Sequence, residues 1–164
     1  MKKFYTLLII FILGVGTISQ AKEGLQIGDT IKNFTVYKYP DGTPLTRDSL
    51  KGKISVINFG ATWCPICLDE KIVLENYLKN NPDILNKVNI IPIMLDSPRD
   101  IENYMNKHKF TFTAYEDKDN QTGNEFFIRG VPMSFIVNEE GVIVYKQIGE
   151  MSWDRLNTIH LKEE

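Results

Sequence analysis

Cys64 and Cys67 are the only thiols in the 164-residue chain, and they stand three positions apart in "ATWCPICLDE". Two thiols at that spacing can form a structural cross-link, ligate a metal, or exchange with other disulfides. A cross-link closing four residues stabilises a fold by only about 2 kcal/mol on the loop-entropy account. A chain that relied on disulfides for stability would set them far apart and use more of them. A structural zinc site takes four ligands, commonly two cysteine pairs or a cysteine pair with a histidine pair. This chain has no second pair, and its two histidines, His108 and His160, fall on different predicted helices. A copper site made of both thiolates and one distant histidine stays open.

The third chemistry fits the surroundings of the pair. "KISVINF", 53–59, is apolar and β-branched between Gly52 and Gly60, the pattern of a buried strand. A short loop and Trp63 follow, and Cys64 stands where a helix begins. Unpaired N–H groups and the positive end of the helix dipole then meet its sulfur. A thiolate there is stabilised and becomes nucleophilic near neutral pH. Cys67 lies one turn further on the same face, placed to resolve a mixed disulfide. A Cys-x-x-Cys alone is a weak signal; set between a strand and a helix it is a strong one. Pro65 fits the first helical turn without cost, but removes one N–H that would stabilise the thiolate. Ile66 offers the thiolate no charge.

The elements that must hold this pair can be read in order. Residues 25–53 alternate short β stretches with turn residues; Phe34 to Tyr37 suits a strand and "YPDGTP" a turn, giving a hairpin that leads into a helical turn near Ser49 and Leu50. The active-site helix is predicted over Cys67 to Lys79, with Ile72, Val73, Leu74, Tyr77 and Leu78 as its apolar positions and "NNP" as its stop. "VNIIPIMLD", 88–96, predicts a second buried strand, in which Pro92 demands a bulge or an unpaired edge position. Ser97 reads as an N-cap before Pro98, with a helix to about Lys107. An extended segment at 110–117, a short helix at 120–128, strands at 133–138 and 142–148 around "NEEG", and a helix at 151–161 complete the chain. The order ββ-(βα)(βα)(βα)-ββ-α predicts an α/β fold with parallel strand pairs in a mixed sheet.

The N-terminus is of a different kind. "MKK" precedes a continuous apolar run, Phe4 to Ile18, and "SQA" supplies small residues before Lys22. This is the pattern of a secretory signal peptide, or of an uncleaved N-terminal membrane anchor. The expected organisation is therefore a leader at 1–21 and one domain at 22–164, exported to the periplasm or to the outer face of the cytoplasmic membrane. Without the leader the chain keeps 17 basic and 21 acidic residues, a net charge of −4. That balance gives no footprint for nucleic acid and no polybasic membrane patch.

"FGATWCPIC" followed much later by "GVPMSFIV" resembles the thioredoxin fold. Within that superfamily the chain is similar to the exported TlpA/ResA-like thiol-disulfide oxidoreductases: it shares the N-terminal hairpin ending "DSLKGK", Asn58 on the active-site strand, and an extra α/β segment near 96–118. The resemblance implies a thioredoxin fold with an N-terminal hairpin and a helix–strand insertion. It implies Cys64 as attacking thiol and Cys67 as resolving thiol. Pro132 matches the cis-proline opposite the cysteines, leaving the Val131 backbone free to bond a substrate strand. Trp63, directly before Cys64, is expected to cap one side of the thiols. Cytoplasmic thioredoxins carry a buried Asp where this chain has Asn58; ResA-like proteins carry a Glu where this chain has Glu70. Glu70, one turn after Cys67, is expected to move the resolving thiol's proton, whereas Asp69 is expected to be solvated. Met133 and Ser134 depart from the family, which more often has Thr after the proline.

The resemblance further implies reduction of disulfides in extracytoplasmic partners, such as apocytochrome c or a repair enzyme like methionine sulfoxide reductase. Electrons would come from a membrane thiol carrier, since the chain has no flavin or nicotinamide motif and no cofactor is expected. Three other functions compete. A disulfide-inserting oxidant of the strongest kind carries a His between its cysteines, where this chain has Ile66. A peroxidase of the peroxiredoxin kind carries Thr or Ser three residues before its reactive cysteine, where this chain has Ala61. A copper chaperone would bind without turnover.

Overall fold

The computed structural model describes residues 24–159; the expected leader at 1–21 and His160 lie outside the described residues. One seven-stranded mixed sheet forms the centre, in the order β2-β1-β5-β4-β3-β6-β7. Strands β1 (Thr35–Lys38) and β2 (Pro44–Thr46) make the N-terminal hairpin, and a single helical turn, Arg47–Leu50, follows it. Strands β3 (Ile54–Gly60) and β4 (Val88–Met94) run parallel at the centre. β5 (Tyr115–Glu116) continues the parallel set, and β6 (Met133–Val137) and β7 (Ile143–Ile148) close it antiparallel. Helix α1 (Pro65–Asn80) follows β3, the short α2 (Ile84–Lys87) precedes β4, and α3 (Pro98–His108) follows it. The expected α/β class is observed, and so is the strand–helix order apart from α2, which the sequence reading did not include. Among the described residues no helix is long and apolar enough to cross a membrane.

Several boundaries differ from the sequence reading. The extended segment at 110–117 pairs only over Tyr115–Glu116, because β5 reaches β1 and β4 for two residues each. The helix at 120–128 contracts to α4 (Gln121–Glu125), behind a 3₁₀ turn broken by positive φ at Asp119 and Asn120. The C-terminal helix divides into a 3₁₀ turn at Trp153–Arg155 and α5 (Leu156–Ile159). Pro92 produces no bulge: its register with Asn58 is unbroken, and β5 begins to pair with β4 only at Ile93. The proline thus sits where β4 lacks a neighbour on its far side, the edge position that a missing N–H requires.

Alternation along the strands decides what faces the site. Ile54 and Val56 pack toward α1 and α3, with Leu74, Tyr77, Ile101, Tyr104 and Trp153. Ile57 and Phe59 point to the other layer, against Phe34, Phe126 and Phe135. Asn58 shares the parity of Val56, and Ser134 shares that of Ile136, so both polar side chains fall on the α1 side. They are register partners between β3 and β6.

Helix α1 is where the apolar pattern misleads. It starts at Pro65, two residues before the predicted Cys67. Ile72 and Val73, expected to face inward, are 43% and 47% exposed. Glu70, Lys71 and Glu75 are buried instead, on one stripe with Cys67 and Leu74. The stripe follows helical spacing from Cys67, not hydrophobicity.

Candidate active site

The β3–α1 junction builds the cysteine pair. Cys64 is the N-cap of α1, with extended backbone, and Pro65 occupies the first helical turn. The Cys67 N–H donates to the Cys64 sulfur at 3.2 Å, so an orphan donor of the helix start points at that sulfur. The two cysteines are joined as a disulfide. They differ in access: Cys64 retains 6% of its surface, whereas Cys67 is fully enclosed.

The loop before the pair is fixed from β4's end. Thr62 donates through both its backbone N–H and its hydroxyl to Asp96, each at 2.8 Å. Its hydroxyl is therefore committed away from the sulfurs, and Ala61, the position a peroxidase would give to Thr or Ser, is a buried alanine. Across from the pair, the Val131–Pro132 peptide is cis and the Val131 carbonyl oxygen touches the Cys64 sulfur at 3.8 Å. In the disulfide that sulfur has no proton to donate, so the approach is a contact; a reduced thiol there could donate to the same oxygen. Val131 also packs on the small cluster of Ala61, Cys64 and Cys67. Trp63 lies beside the pair but does not cover it, being 73% exposed, and Ile66 is 55% exposed. Asp69 is exposed, as expected.

Behind Cys67 lies a polar network in an otherwise apolar layer. Glu70 is completely buried. One carboxylate oxygen accepts from the Met151 N–H at 2.8 Å, and the other from Asn58 Nδ2 at 3.0 Å. Asn58 Nδ2 also donates to Ser134 Oγ at 2.8 Å. Lys71 Nζ donates to Asn58 Oδ1 and stands 3.3 Å from the Glu70 carboxylate. The Trp153 indole N–H donates to the Glu70 carbonyl at 3.3 Å. Burial draws the Lys71 ammonium below the usual lysine range, and the Glu70 carboxylate offsets part of that. The acid buried behind the pair is thus set on α1, and Asn58 on the strand positions it.

Lys71, Ser134 and the 151–153 segment were not identified from sequence as parts of the site. A helical projection anchored on Cys67 would have flagged Lys71, since it falls four residues on. Nothing in the sequence placed Met151. His108 does not join the pair: it ends α3 packed on Tyr104 and Phe110. No group of three or more His, Cys, Asp or Glu side chains among the described residues is arranged to hold a metal ion.

Comparison with known proteins agrees with this geometry. The AhpC/TSA family model matches residues 27–146. The chain is 28% identical over 136 residues to the thiol-disulfide oxidoreductase ResA of Bacillus cereus, covering 82% of this chain and 77% of that protein. It is 32% identical over 112 residues to the thiol:disulfide interchange protein DsbE of Allochromatium vinosum, covering 68% of this chain and 60% of that one. In fold it is similar to StoA from Bacillus subtilis, with a TM-score of 0.67 at 23% identity over 79% of this chain and 98% of that one. From the matched family, these relatives and the paired cysteines at the start of α1, the chain belongs to the AhpC/TSA family and is a thioredoxin-like thiol-disulfide oxidoreductase.

Proposed function

We propose that the protein reduces disulfides of specific extracytoplasmic partner proteins through the Cys64–Cys67 dithiol. The observation that carries this reading is the asymmetry of the pair: Cys64 keeps an accessible edge beside Trp63 and Val131, while Cys67 is enclosed against Glu70's helical face. The Cys64 thiolate attacks one sulfur of the partner's disulfide. A new S–S bond forms, the partner's S–S bond breaks, and the partner's other sulfur leaves as a thiolate that takes a proton. The Cys67 thiol then gives its proton to Glu70, and its thiolate attacks the Cys64 sulfur. The mixed disulfide breaks, the second partner thiol is released, and two electrons have passed to the partner. Trp63, Val131 and Pro132 line the approach and contact the incoming chain, with the Val131 backbone available to pair with it.

The oxidised protein then needs an extracytoplasmic thiol donor, in our reading a membrane dithiol carrier. The apolar segment at 1–21, as signal or anchor, would bring the domain to that side of the membrane. The partners in this reading are of the apocytochrome c or methionine sulfoxide reductase kind, as the resemblance of the cysteine and proline segments implies. Turnover of a protein disulfide by the domain at 22–164, recycled by dithiothreitol, tests the reading. Activity retained in full by C64S would end it.

A further inference from the structure

Lys71 is wholly enclosed. An ammonium in that position is costly, and a methionine of similar length would fill the space without the cost. Packing therefore does not explain its charge. Its position relative to the sulfurs does. A β-carbon built on Gly60 would lie 3.5 Å from Lys71 Nζ and 3.8 Å from Cys67 Sγ, so the two atoms are separated by no more than the sum of those distances. Gly60, having no side chain, leaves nothing of its own between them.

The other titratable groups around Nζ are few. From α1 come Glu70 and Cys67 itself. β3 contributes the neutral Asn58 and β6 the neutral Ser134, and the 151–153 segment contributes a backbone N–H and an indole. From α3, Tyr104 is near enough to Glu70 to feel its charge; its buried hydroxyl is pushed up to about 12 by burial, with Asp96, Glu70 and Asp69 adding to it, and stays neutral in the working range. Lys71 is thus the cation of the site.

We propose that Lys71 is a positioning residue for thiol exchange, the common counter-ion of the Glu70 carboxylate and the Cys67 thiolate. The inference rests on the redox reading above. Before resolution the buried charges are Lys71⁺ and Glu70⁻, beside a neutral Cys67 thiol. When the Cys67 proton moves to Glu70, they become Lys71⁺ and the Cys67 thiolate, beside a neutral acid. The enclosed site has no net charge at either stage. Without the lysine it carries an uncompensated anion throughout, which a low-dielectric interior opposes.

The test follows the Cys67 thiol alone. C64S removes the other cysteine, and the thiolate absorbance near 240 nm then reports Cys67. With E70Q added, the neighbouring carboxyl cannot titrate in its place. The C64S/E70Q and C64S/E70Q/K71M proteins are titrated side by side, with circular dichroism confirming that both are folded; the second has no unpaired charge left behind Cys67 to oppose folding. The expected result is that K71M moves the Cys67 midpoint up by about one pH unit or more, the effect of removing a cation at this range. An unchanged midpoint overturns the role of Lys71. Loss of the redox reading is seen separately, as absence of disulfide turnover by the unmodified protein.

Discussion

Cys64 Sγ lies 3.8 Å from the carbonyl oxygen of Val131, a residue 67 positions further along the chain. The contact brings the β3–α1 loop against the turn before β6, so the sulfur we propose as the attacking one and the backbone we propose to receive a substrate strand occupy one surface. Cys67 is absent from that surface because it is fully enclosed. The two cysteines should therefore fail in different ways when replaced. C64S is expected to abolish turnover. C67S is expected to attack and then stop, accumulating mixed disulfides with a protein substrate that mass spectrometry detects at the combined mass.

Trp63 and Ile66 are exposed beside the pair, and neither is held by the core. W63A should leave the unfolding free energy within about 0.5 kcal/mol of the parent, as for a surface change away from packing. Its rate with a protein disulfide should fall several-fold while its rate with a small aromatic disulfide changes little. Equal losses with both substrates would place Trp63 in the chemistry instead of in substrate contact.

Glu70 is expected to act on the second chemical step. E70Q should slow resolution of a preformed mixed disulfide tenfold or more at neutral pH, in the range of a lost general base. Stopped-flow release of the partner thiol measures it. The glutamine keeps an acceptor for the Met151 N–H but leaves the Lys71 ammonium without its anion, so the variant should also be less stable. E70Q/K71M should recover most of that stability, since a buried ion pair replaced as a unit costs little. Urea midpoints of the two proteins compare them directly.

Glu75 links the helix to the loop before β5. Its carboxylate accepts from the Thr111 hydroxyl at 2.7 Å, from the Thr111 N–H at 2.9 Å and from the Phe112 N–H at 3.3 Å, and it pairs with Lys79 at 3.1 Å. Burial pushes its pKa up, but the Thr111, Lys79 and Phe112 donors outweigh burial and hold it below the ordinary value. A depressed folded pKa means stability that is complete above the unfolded value and lost as pH falls through the folded one. E75Q is thus expected to cost about 1–3 kcal/mol at pH 7, with the gap to the parent narrowing below about pH 4. Denaturant curves at pH 7 and pH 3 check both the size and the sign.

What could be read from the sequence followed the strength of each local signal. The Cys-x-x-Cys between a β-branched strand and a helix start placed both thiols, and the Ser97–Pro98 cap placed α3 to within a residue, with Ser97 accepting from the Asp100 N–H. Residue type misled where charge is buried in a network. Lys71 and Glu75 look like solvated helix residues until Asn58 and Thr111 arrive from other elements to satisfy them, and Glu70, which the resemblance singled out, is enclosed by Asn58 and the Met151 N–H. Those partners lie 12 to 81 positions away, and no helical pattern encodes them. Ile72 and Val73 were misjudged for the same reason: the helix turns its chemistry inward and leaves these two apolar side chains in solvent.

The reduction potential of the Cys64–Cys67 couple tests the central claim most directly. The domain at 22–164 is equilibrated in glutathione or dithiothreitol redox buffers and the fraction oxidised is read after acid quenching and thiol alkylation. A reductant of partner disulfides should have a value near or below about −250 mV, close to thioredoxin's. A value above about −150 mV, toward the strong periplasmic oxidants, would contradict the reducing role and assign the pair to disulfide insertion.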